Sequence, residues 1–178
     1  MCSPITHASI AIIGKSIDKK APLLLLLFST QLPEMMFFLL QFLGIESQAN
    51  PIIDFKMGFT YLSSPHIPWS HGLLMCILYS ILLASITFIF LHRLRTACIV
   101  GLMVISHWVL DFLVYNNLPL FLTDTPTAGI GLVTSAVGVK IAIGIEVIGV
   151  AALLIFGIPY FLKIKHQKAA LEDNLSIG

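Results

Sequence analysis

The sequence predicts an all-α integral membrane protein, a four-span helical bundle with a short extra N-terminal helix. Three observations carry that expectation. Of the 178 residues, 57% are hydrophobic and 11% charged, with a mean hydropathy of +0.96, whereas soluble domains carry about a quarter charged residues. Four apolar runs each approach the ~20 residues that a helix needs to cross a ~30 Å hydrocarbon core. Most basic residues fall in the turns that alternate helices place on one side of a membrane.

The first element, Ile5 to Ile17, is a short apolar helix containing His7, and Asp18-Lys19-Lys20 ends it. Lysines ahead of Leu23–Leu27 imitate a secretory signal, but no A-x-A site follows and the apolar run continues to Leu43, which predicts a retained helix. The first full span is about 21–43. Gln31-Leu32-Pro33-Glu34 interrupts it near its middle. Proline removes a helical hydrogen bond, so the carbonyls around it need partners and Glu34 is expected to face a polar interior.

The segment from Gly44 to Trp69, with Pro51, Pro65 and Pro68, is too polar and too broken to span. The second span is about 70–91, with Ser70 as the expected N-cap and His71 in the first turn. His92-Arg93-Leu94-Arg95 turns the chain into the third span, about 96–115. Asn116 to Gly138 reads as a loop, and about 139–161 as the fourth span. Residues 1–165 form a single transmembrane domain in this reading, followed by a polar tail over 166–178.

Lys15, Lys19, Lys20, Arg93, Arg95, Lys163, Lys165 and Lys168 then share one side, eight of the ten basic residues. Basic turns are cytoplasmic, which places the turns and the C-terminus inside and the two longer loops outside, in a cytoplasmic (inner) membrane. The net charge of +1 leaves no basic stripe for nucleic acid, so the bilayer is the expected partner. Cys2, Cys76 and Cys98 show no CxxC spacing and receive no redox role.

The polar residues inside the spans are the candidates for chemistry. His107 and Asp111, four apart, lie on one helix face, and a carboxylate at membrane depth costs a few kcal/mol unless it is paired or bound. The topology places Glu34, His71, His107, Asp111 and Glu146 in the same outer half. If the short helix runs antiparallel to the first span, His7 stands ~15 Å above Ile17 and joins them. Histidines and carboxylates converging in a helical bundle favour zinc, iron or manganese. The alternative is hydrogen bonding across helices, worth ~0.6 to 2 kcal/mol each. His66, in a loop, is expected to be solvated, while His92 and His166 belong to the basic turns. Trp69 reads as an interface anchor and Trp108 as packing; Asn116, Asn117 and Asp124 read as loop residues. Gly-rich phosphate loops, G-x-S-x-G and H-E-x-x-H are absent from the sequence.

Thr6-His7, Leu32-Pro33-Glu34, Trp69-Ser70-His71-Gly72 and Ser106 to Asp111 together resemble the YdjM family of bacterial inner-membrane proteins, described as LexA-binding, metal-dependent hydrolases. Leu43-Gly44-Ile45-Glu46, Leu118-Pro119-Leu120 and Gly129 to Leu132 add a resemblance to small, uncharacterised bacterial membrane proteins of the same neighbourhood. The resemblance covers most of residues 5–150. The broader family is thought akin to the all-helical phospholipase C group of zinc phosphoesterases, in which an H-x3-D helix supplies ligands. By that resemblance His107 and Asp111 are metal ligands, with His7 and His71 as further ones. Two departures stand out. Where hydrolase-like members have Pro-Asp and a second acid two residues later, this chain has Pro33-Glu34 and Met36. Where the soluble relatives have H-x3-E, it has Ala142 before Glu146. A single metal, or a site that has lost catalysis, fits these departures as well as a multinuclear centre.

The expected function is metal-dependent hydrolysis of a phosphoester or other ester, of lipid-like origin, from the outward face. His107, Asp111, His71 and His7 would hold a divalent metal, zinc first, and Glu34 or Glu146 would deprotonate a water. Two other classes remain open. One is a transporter using the buried acids as relays, assembled as a homo-oligomer; the other is a non-catalytic membrane scaffold.

Overall fold

The computed structural model describes residues 4–47, 51–54, 58–61, 66–132, 135–157 and 159. Lys56, Lys163, Lys165, the end of the expected fourth span and the polar tail over 166–178 lie outside the described residues. Five α-helices dominate: α1 (Pro4–Ile17), α2 (Leu23–Phe42), α3 (Leu73–Leu91), α4 (Leu94–Val114) and α5 (Ala136–Ala152), the last continuing into a π-helical turn over Leu153–Gly157. Among the described residues, four helical stretches are long and apolar enough to cross a membrane: α2, α3, α4 and Val137–Ile155.

The chain is not purely helical. Strands β1 (Pro51–Asp54) and β2 (Gly58–Tyr61) pair antiparallel with Ile52 opposite Thr60, and β3 (Leu118–Pro119) pairs with β4 (Thr127–Ala128). The prolines that exclude a helix do not exclude a strand at its ends, and Ile52-Ile53 and Phe59-Thr60-Tyr61 are β-formers.

Helix boundaries follow local chemistry. α2 starts at Leu23 because Pro22 serves as its N-cap. α3 starts at Leu73, with Gly72 and not Ser70 as N-cap. The correction has a cause: Pro68 to Ser70 form a turn of their own, closed by His71 N–H donating to the Ile67 carbonyl at 3.0 Å. Gly72 is required there, since a Cβ would stand 2.2 Å from the Pro68 carbonyl oxygen. His92, in the left-handed region at φ 51, ends α3 and lets α4 start at Leu94. α5 starts earlier than the expected 139 because the Ser135 hydroxyl caps it, accepting from Gly138 N–H at 3.0 Å.

α4 is the central helix and packs against α1, α2 and α3. Over half of its most apolar stretch is buried (56%), against 11% for α3 and 12% for Val137–Ile155. One apolar cluster, including Ala11, Leu26, Val100 and Met103, joins α1, α2 and the first half of α4. Another, with Cys76, Trp108, Val114 and Leu118, packs the far half of α4 against α3 and the β3 region.

The α1–α2 turn is tied to the start of α4. Asp18 Oδ1 accepts from the Lys20 N–H at 2.9 Å, and Oδ2 accepts from the Thr96 hydroxyl at 2.5 Å. Arg95 donates to the Ile17 carbonyl at 2.8 Å, satisfying a carbonyl that the end of α1 leaves open, and Lys15 Nζ donates to the Lys19 and Ala21 carbonyls of the following turn at 2.7 Å. The Thr96 hydroxyl outweighs the cost of burial and, with the Lys20 N–H and nearby Arg95, holds the Asp18 carboxyl below the usual carboxylate range. A lowered folded-state value gives stability that is present above pH ~4 and lost as pH falls through the folded value. Thr96→Val is therefore expected to lower Tm at pH 7 by about 2–4 °C, a gap that narrows as pH falls below ~4 because the wild type then loses the contribution the variant already lacks. Thermal melts of both proteins from about pH 2 to about pH 7 in detergent check this, and a Tm gap that does not change with pH contradicts it.

Candidate metal centre

α4 presents His107 and Asp111 one helical turn apart on its buried face, at 0% and 2% exposure. Three more groups meet them from three other segments. α1 brings His7, α2 brings Glu34, and the turn before α3 brings His71, all buried to 5% exposure or less. His107 Nε2 and His71 Nε2 lie 3.5 and 3.7 Å from Asp111 Oδ2, and His7 Nε2 lies 3.7 Å from Oδ1. The His7 and His107 rings stack at 3.7 Å with 11° between their planes. His107 is 13 residues along α4 and Thr96 near its start, so the site stands ~16 Å from the Asp18 contact, toward the opposite end of the helix.

These distances suit a shared cation better than direct hydrogen bonds. An N–H···O bond needs about 2.7–3.2 Å, and none of the three contacts reaches it. Zinc bonds of ~2.0–2.1 Å in a tetrahedron set ligand atoms ~3.3–3.4 Å apart, close to the spacing observed. The protonation pattern agrees. His107 Nδ1 lies 2.8 Å from the Thr30 carbonyl, which can only accept, so Nδ1 carries a proton and in the neutral ring Nε2 presents a lone pair to the site. His71 Nδ1 is 2.8 Å from the Ser70 hydroxyl, a contact that orients the ring with Nε2 toward Asp111.

Buried polar atoms without a hydrogen-bond partner gather here: both ring nitrogens of His7, His107 Nε2, Asp111 Oδ1 and both oxygens of Glu34. Each buried unsatisfied group costs about 1–3 kcal/mol, more when charged, and lone pairs facing one another add repulsion. A cation at their centre removes both penalties. Among the described residues, two sets of ligand atoms, each within 4.8 Å, could hold an ion: His7, His107 and Asp111, and Glu34, His71 and His107. They share His107, which has one free lone pair, so they describe one centre with overlapping ligands and not two separate ions.

The structure thus brings together five of the six candidates. The sixth, Glu146 on α5, belongs to neither ligand set; its Oε2 accepts from the Thr6 hydroxyl at 2.5 Å, one residue from His7. Gly149, one turn further on, lets α5 approach α1, since a Cβ there would sit 3.1 Å from Thr6 Oγ1. Glu146 therefore fixes α1, and with it His7, against α5.

Three supporting groups escape a reading of the sequence. Glu46 Oε1 accepts from the N–H groups of Trp69 and Ser70 at 2.7 and 2.9 Å and so holds the turn that presents His71. Phe37 meets the His71 ring edge-on at 5.8 Å. The Thr30 carbonyl orients His107 from the turn ahead of Pro33, where proline disturbs the helical ladder. His66 and Asp124, read as loop residues, pair with each other at 2.7 Å and pin the two loops on this side together.

Compared with protein-family models, curated proteins and solved structures, the chain matches none.

Outer groups that orient metal-binding histidines are worth about 10–100-fold in metal affinity. Glu46→Ala is expected to weaken zinc binding about tenfold or more, while Glu46→Gln, which keeps an oxygen for the two N–H groups, stays within a few-fold of wild type. Competition against a zinc chelator measures both.

Proposed function

We propose that this chain is a multi-span membrane protein that binds one divalent metal, zinc first, and hydrolyses a phosphoester or other ester of lipid-like chemistry. The observation that carries the reading is the convergence of His7, His71, His107 and Asp111 at 3.5–3.7 Å, with unpartnered acceptor atoms facing the same point. Membrane placement is supported by the apolar surface of α3 and α5, where Ile81, Leu82, Phe90, Val147 and Ile148 are more than half exposed. A basic end formed by Lys19, Lys20, Arg93 and Arg95 supports a cytoplasmic position for the turns and an outward one for the site. The resemblance to the YdjM family agrees with both parts of the proposal.

The protein's own groups divide the work. His7, His71, His107 and Asp111 would hold the ion, with their orientation set by Thr30, Ser70 and, through the 68–70 turn, Glu46. A divalent ion there would supply Lewis acidity for the ester oxygen and would acidify a water, provided its coordination expands beyond the four protein ligands. Glu34 takes the proton from the attacking water. It suits that role better than Glu146, since both its oxygens are uncommitted whereas Glu146 is held by Thr6. The closed, apolar surroundings exclude bulk water from the reacting groups.

A second reading has its own support. Ligands exposed by 5% or less also fit a structural metal that locks α1, α2 and α4 around the turn at His71, without turnover.

One experiment separates the two. Detergent-purified wild type is expected to carry about one zinc, iron or manganese per chain by elemental analysis, and His107→Ala with Asp111→Ala to carry none. Glu34→Gln is expected to keep its metal and lose about 10²–10⁴-fold in hydrolysis of phosphodiester and carboxylester chromogenic substrates. Metal bound with no hydrolysis of either substrate class supports the structural reading; no metal in the wild type after reconstitution contradicts both.

A further inference from the structure

At the opposite end from the metal centre, the α1–α2 turn and the start of α4 enclose an open depression of about 540 Å³. Lys19, Lys20, Arg93 and Arg95 line it together with Asp18. Their commitments differ. Arg95 is engaged by the Ile17 carbonyl, and Asp18 by Thr96 and the Lys20 N–H. Among the described residues, the side chains of Lys19, Lys20 and Arg93 have no hydrogen bond or ion pair, and all three are exposed.

Three uncommitted cations around one depression repel each other, and the only carboxylate among them already has its partners. An anion placed there is attracted by all three. Its chemistry is narrowed by the rim: Ile17 is 52% exposed and Leu94 67% exposed, and both line the same depression. Cations beside exposed aliphatic groups match an amphiphile with an anionic head and an apolar tail.

We propose that this depression binds the phosphate headgroup of an anionic lipid, with Lys19, Lys20 and Arg93 on the phosphate and the acyl chain along Ile17 and Leu94. The site rests on the membrane placement proposed above and is independent of the metal centre. Bound there, the lipid bridges the α1–α2 turn to the α3–α4 turn and neutralises the repulsion between them.

The test uses the full chain in neutral detergent, with Tm read against added dihexanoyl phosphatidic acid, dihexanoyl phosphatidylcholine or inorganic phosphate. Phosphatidic acid is expected to raise Tm saturably, and phosphatidylcholine to leave it unchanged. Lys20→Gln with Arg93→Gln is expected to raise the half-saturating concentration by at least about tenfold while keeping the wild-type metal content. Raising salt from about 50 to about 500 mM is expected to weaken the wild-type response, which keeps the test decisive should the variant not fold. An equal response to phosphatidylcholine, a salt-independent response, or a folded variant that responds like wild type overturns the proposal. Saturation by inorganic phosphate at the same concentration as the lipid overturns the assignment to a lipid. Because metal content is read separately, loss of the lipid response with metal retained leaves the metal reading standing, and a chain that stays soluble without detergent removes the membrane placement itself.

Discussion

A carboxylate enclosed in an apolar helix bundle is the constraint on which the rest of the structure depends. Asp111 is 2% exposed on α4, the helix that packs against three others, and its charge cannot be left to solvent. Its nearest polar neighbours are three imidazoles at distances too long for hydrogen bonds and suited to a shared cation. Each imidazole is in turn delivered by a separate piece of chain, which explains why α1 folds back on α4 and why the turn before α3 is built so firmly. The Thr30 carbonyl, Ser70, Glu46 and the Thr6–Glu146 contact all serve to aim ring nitrogens at one place.

Much of this was legible in the sequence because two periodicities suffice for it. The i, i+4 spacing of His107 and Asp111 puts them on one face, and alternating spans put Glu34 and His71 at the same end. His7 followed from the length of the first helix and its reversal at Asp18. What was not legible depends on contacts between distant segments. Glu46 acts through backbone N–H groups 23 and 24 residues away, and no spacing rule announces that. The Thr30 carbonyl is a main-chain atom, invisible to any reading of side chains; Pro33 signals only that the ladder near it is disturbed.

The differences at element ends have a common origin. Ser70 has the chemistry of an N-cap, yet the cap falls at Gly72, because the close approach of the Pro68 carbonyl admits no Cβ and Ser70 is engaged by the His71 ring. Ser135 lies in a stretch that looked like loop and does cap a helix. The two hairpins form where proline and glycine forbid long helices but leave short β-forming runs between them. Local propensity sets the candidates for each boundary, and the nearest tertiary contact chooses among them.

Chemistry is thus divided along α4. At one end Thr96 and Asp18 stitch two turns together beneath a rim of basic residues; ~16 Å further along, His107 and Asp111 join a closed set of metal-type ligands. The most direct test of the central claim is zinc K-edge X-ray absorption on the zinc-loaded protein in detergent. Nitrogen and oxygen neighbours at ~2.0–2.1 Å, with the outer-shell scattering of about three imidazoles and no sulfur, are the predicted result. A sulfur shell at ~2.3 Å, or a light-atom shell without imidazole scattering, would contradict it.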